Sequence, residues 1–566
     1  MSQLASFFIK FVGRASARRF EQATCDPVLA QQRKLLQILR RNAGTEYGRE
    51  YGFQSIGSLA EFQRAVPVVT YEDIQERMRR VTRGEKNVLT AEDPVMFAKT
   101  SGTAGDAKYI PITPTCQGRD HSDQMRTWFY HAIREHGGVF SGKAMSLVSP
   151  AVEGYTESGV PFGSTSGHIY KNMPGVIRGT YAVPYNVFEI KDYETKYYVL
   201  MRLGLQMDVT FMATANPSSI IKLCEIADAR SDQLLQDLAD GTLRADLEID
   251  PSIRAEIEGV LRPRRDWAAA LERARERRLG RLLPVDYWPN LTLIGCWKGG
   301  TVGSYLHRFP DWFWPGKGDR VIPVRDWGYL SSEARGSIPL SDHGSGGVLT
   351  VGTNVYEFVD AGELESRPDE PSAWTFLGVD QVEIGREYYI FFTTTGGLYR
   401  YDINDVIHVV GKYNETPLIT FRRKGRGATS ITGEKVTVNQ VIEAFQRAAQ
   451  EVGVTVEHFR VEADVENARY VFMAEARNGI DEGRRGPLLR ALESHLSKLN
   501  IEYEAKRQSL RLGPPKLLIM RSGWYDREKK ALIAEGKRLF QAKTICLSQK
   551  RSEAQEEIEA EIPWES

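Results

Sequence analysis

The sequence predicts a large α/β domain of β-sheets flanked by helices over residues 1–425, followed by a smaller α+β domain over residues 426–566. Three observations carry that expectation. The chain has 566 residues, more than one hydrophobic core ordinarily supports. Strand-like runs alternate with helical patterns as far as the strand-like Leu418-Ile419-Thr420-Phe421. The basic, glycine-rich stretch Arg422-Arg423-Lys424-Gly425-Arg426-Gly427-Ala428 then marks a change of composition that can absorb backbone rotation, which makes the second domain mobile.

Taken in order, Met1 to Phe20 reads as an amphipathic helix, with a short apolar patch at Phe7-Phe8-Ile9 followed by Arg14, Arg18 and Arg19. From Cys25 to Arg83 the pattern is helical, with Val28, Leu35, Ile38 and Leu39 at three- and four-residue spacing and Asp26-Pro27 as cap and first turn. Short strands are expected at Leu147-Val148-Ser149-Pro150 and where Met207, Val209 and Phe211 alternate with Asp208 and Thr210. Gly154 to Gly167, dense in Gly, Ser and Thr, reads as a long ordered loop of the kind that lines substrate pockets. Asn216-Pro217 starts a helix, and Ser252 to Leu279 reads as a solvent-facing helix pair. Strands are expected at Leu291–Cys296, Val348–Val351, Val355–Val359 and Glu387–Thr393. The small domain reads helix (438–452), strand (456–464), strand (470–476), helix (486–499), strand (516–520).

Composition narrows the function. Lys plus Arg and Asp plus Glu both total 74, so the basic footprint of a nucleic-acid binder is missing. Five cysteines without a C-x-x-C pair signal neither a disulfide framework nor a zinc site and fit a reducing cytoplasm. Neither a signal peptide nor a spanning segment is expected, and the chain is expected to be a cytoplasmic monomer away from membranes.

Thr100-Ser101-Gly102-Thr103-Ala104-Gly105-Asp106-Ala107-Lys108 lies between the apolar runs 94–98 and 109–113 and reads as the loop of a strand-loop-strand unit. Two glycines let backbone N–H groups converge, hydroxyls add donors and Lys108 adds a mobile charge, an inventory suited to a polyphosphate. It is no Walker A loop, since Ala107 stands where the second glycine belongs and Tyr109 where the magnesium-binding hydroxyl belongs. On residues alone, a surface hairpin remains open.

A second candidate is Asp326-Trp327-Gly328-Tyr329-Leu330-Ser331-Ser332-Glu333, where an aromatic, small hydroxyls and one acid could stack a purine and hold magnesium. Ser-Ser-Glu is equally a helix-capping sequence. In the third, Leu398 to Ile407, Asp405 can accept both hydroxyls of a ribose, or be a surface turn residue.

The first loop resembles the [ST]-[ST]-G-T-[STA]-G-x-x-K segment of the adenylate-forming superfamily. With Leu35-Leu36-Gln37-Ile38-Leu39, Glu46-Tyr47-Gly48, Val66-Pro67-Val68-Val69, Tyr71-Glu72-Asp73-Ile74 and Arg83-Gly84-Glu85, the chain is similar to the Gretchen Hagen 3 (auxin-responsive promoter) family of acyl acid amido synthetases. That resemblance implies an adenylate-forming fold that uses ATP and Mg2+. It implies that Ser101, Gly102, Thr103, Ala104, Gly105 and Lys108 cradle phosphates, that Tyr329 faces adenine and that Ser331 and Ser332 belong to the same nucleotide-binding segment. Glu333 is then the magnesium ligand. Asp405 holds the ribose, with Asn404 replacing the family's glycine, a residue that tolerates left-handed geometry. Thr301, in Gly299 to Tyr305, lies where the family approaches the acyl phosphate. Near the end, Gly523-Trp524-Tyr525, Gly536 and Gln541-Ala542-Lys543-Thr544-Ile545-Cys546 resemble the family's tail without its proline and arginine, which makes Lys543 the mobile catalytic lysine ahead of Lys529, Lys530 and Lys537.

The implied reaction has two halves. A carboxylic acid attacks the α-phosphate of ATP and pyrophosphate leaves; an amine or amino acid then attacks the acyl adenylate, giving an amide and AMP. The helix from Gln117 to Ala132 and the Gly154 to Gly167 loop are the expected acyl-pocket walls. Two alternatives stand beside this: a ligase forming a thioester with coenzyme A or a carrier protein, and a nucleotide-binding homologue without catalysis.

Overall fold

The computed structural model describes residues 2–100, 108–299, 301–316, 318, 320–368, 370–476, 479–525, 527–528, 546–548 and 555–564. The loop 101–107 and Lys543 therefore lie outside the described residues. The chain divides into two compact units, Met1–Lys99 with Tyr109–Arg422, and Thr100–Lys108 with Arg423–Ser566.

The first unit holds three larger sheets. A six-stranded antiparallel sheet runs, in spatial order, Val355–Asp360, Glu387–Thr393, Tyr401–Tyr413, Thr416–Lys424, Gly347–Leu349 and Ser337–Ile338. Its aromatic and β-branched strands bury Tyr356, Phe358, Tyr388, Ile390 and Phe392 against the N-terminal helices, in one core with Leu35, Ile38, Leu39 and Phe62. A second sheet sets Lys143–Ser146, Val209–Ala213, Leu293–Gly295 and Val324–Arg325 in parallel register. The third places Met96–Thr100 between Lys108–Ile112 and Pro161–Gly163, so the two strands expected on either side of the loop 101–107 are present and adjacent.

The N-terminal helices form where the sequence places them. Ser2–Cys25 is one helix, and in Pro27–Asn42 the Asp26 side chain accepts the Leu29 N–H at 3.0 Å with Pro27 in the first turn. Asn216 likewise caps Pro217–Ala229, and the charged block resolves into the pair Pro251–Val260 and Arg265–Arg277.

Three local expectations need correction. The strand expected at Leu147–Pro150 is Lys143–Ser146, because pairing follows the parallel partner from Val209 to Ala213 and ends before Pro150, which has no N–H to donate. Val209–Ala213 does not alternate in burial: a central parallel strand is covered on both faces, so Thr210 is buried as deeply as Phe211. The Gly154 to Gly167 segment is not a plain loop. It forms a short hairpin of Gly154–Tyr155 with Pro161–Gly163, then a helix Thr165–Lys171 whose first turn is capped by Ser164.

In the second unit, Val438–Val452 and Glu482–Leu499 pack on a sheet ordered Leu547–Ser548, His458–Asp464, Arg469–Glu475, Lys516–Met520, Ile558–Ile562. Helix Ile501–Gln508 and the two outer strands are additions to the sequence reading, the strands too short or too charged to stand out by pattern.

Candidate functional site

Tyr329 is the pivot of the site. Asp326 accepts the backbone N–H of Gly328, and Gly328 adopts φ +83, where a Cβ would come 2.2 Å from the Ser337 carbonyl oxygen. That bend brings the chain back on itself. The Tyr329 carbonyl accepts the Gly336 N–H at 2.7 Å, Ser337 Oγ accepts the Tyr329 N–H at 2.9 Å, and Leu330 bridges to Arg335. A Cβ on Gly336 would sit 2.5 Å from the Tyr329 ring, so backbone lies directly against one edge of the aromatic. Phe421 lies parallel to the ring, 6.2 Å between centroids and 8° between planes.

Ser331, Ser332 and Glu333 form the turn inside this bridge and not the start of a helix, which removes the capping alternative. Ser331 Oγ accepts the Ala334 N–H at 3.1 Å and its own N–H donates to the Ala334 carbonyl at 2.9 Å. Its hydroxyl therefore also builds the turn. Ser332 stands half-exposed beside it, while Glu333 is 5% exposed.

Asp405 reaches the same place from another strand. The pairing of Glu387–Thr393 with Tyr401–Tyr413 shifts between Ile390 and Phe391, so Ile390 faces Asp405 while Phe391 faces Asp402. Ile403 and Asn404 are accommodated as a bulge, with Asn404 at φ +59 and its N–H on Asp402 Oδ1 at 2.8 Å. The left-handed position foreseen for Asn404 is therefore present. It belongs to a bulge within a long strand, where the sequence suggested a turn ending one. The bulge re-aims Asp405, whose Oδ2 accepts the Tyr329 hydroxyl at 2.6 Å.

Burial raises the Tyr329 hydroxyl well above its ordinary pKa, and the negative charges of Asp405 and Glu333 push the same way. Tyr401 is raised too, first by burial and then by Glu333. Both phenols are held protonated, and that of Tyr329 donates to Asp405. Tyr329, Glu333, Tyr401 and Asp405 thus form one electrostatic cluster, which the structure assembles from positions 329 to 405.

This donor set fits a nucleotide with a hard cation. It offers a carboxylate oriented by a phenol, an aromatic backed by glycine, and a second carboxylate of the oxygen-ligand type that magnesium prefers. Replacing Tyr329 by Phe should leave the Asp405 carboxylate short of a charge-assisted hydrogen bond, a loss of about 2 kcal/mol in stability, measured by denaturant unfolding; an unchanged midpoint would sink that view of the contact.

Two of the other sequence-derived residues are described. Lys108, half-buried, opens the strand Lys108–Ile112 and belongs to the second unit. Thr301 begins a 3-10 helix, Thr301–Arg308. Ser101, Gly102, Thr103, Ala104, Gly105 and Lys543 are outside the described residues. Sequence reasoning misses Phe421, which looks like an ordinary strand aromatic, and gives no role to Tyr401 or to Asp326, whose burial lifts its pKa to about 6, although both lie inside candidate stretches. Trp327 packs away from the cluster, its Nε1 donating to the Thr214 carbonyl at 2.9 Å and its ring stacked on Trp128 at 4.2 Å.

Comparison with known proteins adds an independent line. The chain matches the GH3 family N-terminal domain over residues 16–315, the GH3 family central domain over 347–424 and the GH3 family C-terminal domain over 439–552. It is 24% identical over 555 residues to the probable indole-3-acetic acid-amido synthetase GH3.1 of Arabidopsis thaliana, covering 94% of this chain and 90% of the relative. It is 26% identical over 559 residues to the probable indole-3-acetic acid-amido synthetase GH3.2 of Oryza sativa subsp. japonica, covering 92% and 88%. A solved structure of the GH3.15 acyl acid amido synthetase matches with a TM-score of 0.63 at 21% identity over 96% of each chain, a likeness of fold.

Proposed function

Because this chain belongs to the GH3 family, we propose that it is an ATP-dependent acyl acid amido synthetase. It adenylates a carboxylic acid, releasing pyrophosphate, and passes the acyl group to an amine or amino acid, releasing AMP. The single observation that carries the site assignment is the 2.6 Å contact from Tyr329 to Asp405, which joins two motifs 76 residues apart. Full-length similarity to relatives named amido synthetases favours amide formation over thioester formation.

In this reading Asp405 accepts the ribose hydroxyls and Tyr329 presents its ring to adenine, with Ser331 and Ser332 on the adjoining turn. The loop from Ser101 to Gly105, with Lys108, receives the phosphates, and Thr301 lies toward the acyl phosphate. Glu333 would hold Mg2+, which when bound would supply positive charge against that developing on the departing pyrophosphate. Because the chemistry is mainly charge placement, these residues act by position and need not form a bond to substrate.

The second domain, residues 426–566, supplies Lys543 for adenylation and then withdraws it by rotation at the 424–428 link, so the amine can enter. The enzyme works as a monomer in a reducing cytoplasm, which suits the five free cysteines.

The test is acid-dependent exchange of labelled pyrophosphate into ATP, followed by mass detection of amide when amino acids are added. No exchange with any acid, or thioester without amide, overturns the reading. Lys108→Ala should slow exchange at least about tenfold. Lys543→Ala should lose exchange while forming amide from a supplied acyl adenylate more nearly normally; equal loss of both steps would argue against a lysine that withdraws.

A further inference from the structure

Two neighbouring parallel strands, Leu293–Gly295 and Val324–Arg325, end side by side with Gly295 opposite Arg325. From the first, the chain runs through Lys298 to the helix Thr301–Arg308; from the second, it runs through Asp326 to the Tyr329 turn. The carboxyl ends of parallel strands are where open sheets of this kind receive ligands. Backbone pairing between the two chains reaches Cys296, whose N–H donates to the Arg325 carbonyl at 3.2 Å.

Asp326 continues the connection with its side chain. Oδ1 accepts the Gly328 N–H and Oδ2 the Lys298 N–H, each at 2.5 Å. Its own carbonyl accepts Trp128 Nε1 at 2.8 Å, so the residue is held from three sides. The chains are in close contact here, for a Cβ on Gly295 would come 2.6 Å from the Trp327 ring. Lys298 Nζ turns back to the carbonyls of Val324 and Asp342, at 3.1 and 2.6 Å.

The bond to Gly328 alone is a local turn, which an asparagine builds as well without burying a charge. The bond from Lys298, 28 residues away, is not local and needs a second acceptor. A carboxylate supplies two acceptor oxygens at once, where an amide or hydroxyl supplies one. That charge is kept against its surroundings: Asp326 is 4% exposed, and burial raises its pKa to about 6 despite the N–H groups and the Lys298 ammonium. The other ionic groups nearby are matched elsewhere, Arg325 with Asp342 and Glu135, and His136 with Asp342. Burial keeps the Cys296 thiol neutral, its pKa well above the ordinary value.

We propose that Asp326 is a positioning residue, whose ionised carboxylate holds the segment 298–301 and the turn 329–333 in one fixed relation. The wall expected toward the acyl phosphate and the wall expected around the nucleotide then meet substrate as a unit. This deepens the amido synthetase reading and rests on it. Protonation would put a donor where an acceptor is needed, so one of the two ties opens as pH falls through the pKa of Asp326.

The experiment compares the full chain with its Asp326→Asn variant in acid-dependent pyrophosphate exchange. At about pH 7.5 the variant should lose at least about tenfold in kcat, with KM for ATP within about threefold of the parent. The parent's kcat should fall along an acid limb centred near pH 6, and the variant should lack that limb. Stability should move the other way. The folded pKa lies above the ordinary 3.8, so ionising Asp326 costs the fold, and lowering pH from about 7.5 to about 5 should raise the parent's denaturant midpoint relative to the variant's. Exchange within about threefold of the parent, or the same acid limb in both proteins, overturns the proposal. Amide hydrogen exchange by mass spectrometry separates the two readings, because it needs no substrate. Peptides covering 296–302 and 326–333 should both take up deuterium faster in Asp326→Asn, whereas a change in the second alone, or in neither, reduces Asp326 to a turn residue. Absence of pyrophosphate exchange with every acid sinks the adenylation chemistry and leaves this last measurement to decide the tie. Should the variant not fold, faster uptake by both peptides in the parent at about pH 5, after correction for intrinsic rates, upholds the tie, and uptake unchanged there overturns it.

Discussion

Glu333→Gln is expected to lower acid-dependent pyrophosphate exchange by a factor on the order of 10² to 10³, equivalent to about 3 kcal/mol of barrier. The amide keeps the volume and polarity of a side chain that is 5% exposed, so the turn from Leu330 to Arg335 should persist and thermal unfolding should stay near that of the parent. What disappears is a negative charge felt at both Tyr329 and Tyr401. The loss should concentrate in kcat and become less steep as magnesium is raised, if the charge holds a cation. Exchange within threefold of the parent would remove Glu333 from the site.

Glu357→Gln should produce the largest stability change, about 3 to 5 kcal/mol. Glu357 and Arg400 are 2% and 5% exposed at their side chains, with Arg400 Nε 3.1 and 3.0 Å from the two carboxylate oxygens. Removing the charge from one partner leaves the other buried and uncompensated. The site would feel it, since Arg400, itself at φ +46, anchors the start of the strand that carries Asp405. A double change to apolar residues should recover only part of the loss, because Arg400 Nη1 also donates to the Gln63 and Val66 carbonyls at 2.9 and 2.8 Å, and these would be orphaned. Denaturant midpoints measure all three variants; a loss under about 1 kcal/mol for Glu357→Gln would show that the pair is solvated in solution.

Much of this was legible in the residues. Helix starts with a capping side chain and a proline, as at Asp26-Pro27 and Asn216-Pro217, are local signals and were read correctly. So were strands such as Glu387–Thr393, whose β-branched and aromatic run is bounded by breakers. The failures share a cause in tertiary context. Which residues pair at Lys143–Ser146 depends on a partner more than sixty residues away, and the two-sided burial of Val209–Ala213 depends on helices that periodicity within the strand cannot reveal. At the site, motif positions were visible one by one, but the bulge that turns Asp405 toward Tyr329 arises from register.

The Trp128–Trp327 stack gives the molecule an internal optical gauge. Two indoles 4.2 Å apart and 28° from parallel couple their electronic transitions, and one of them lies two residues before Tyr329. The near-ultraviolet circular dichroism of the unlabelled protein therefore carries a signature seated beside the site, sensitive to any tilt of that backbone.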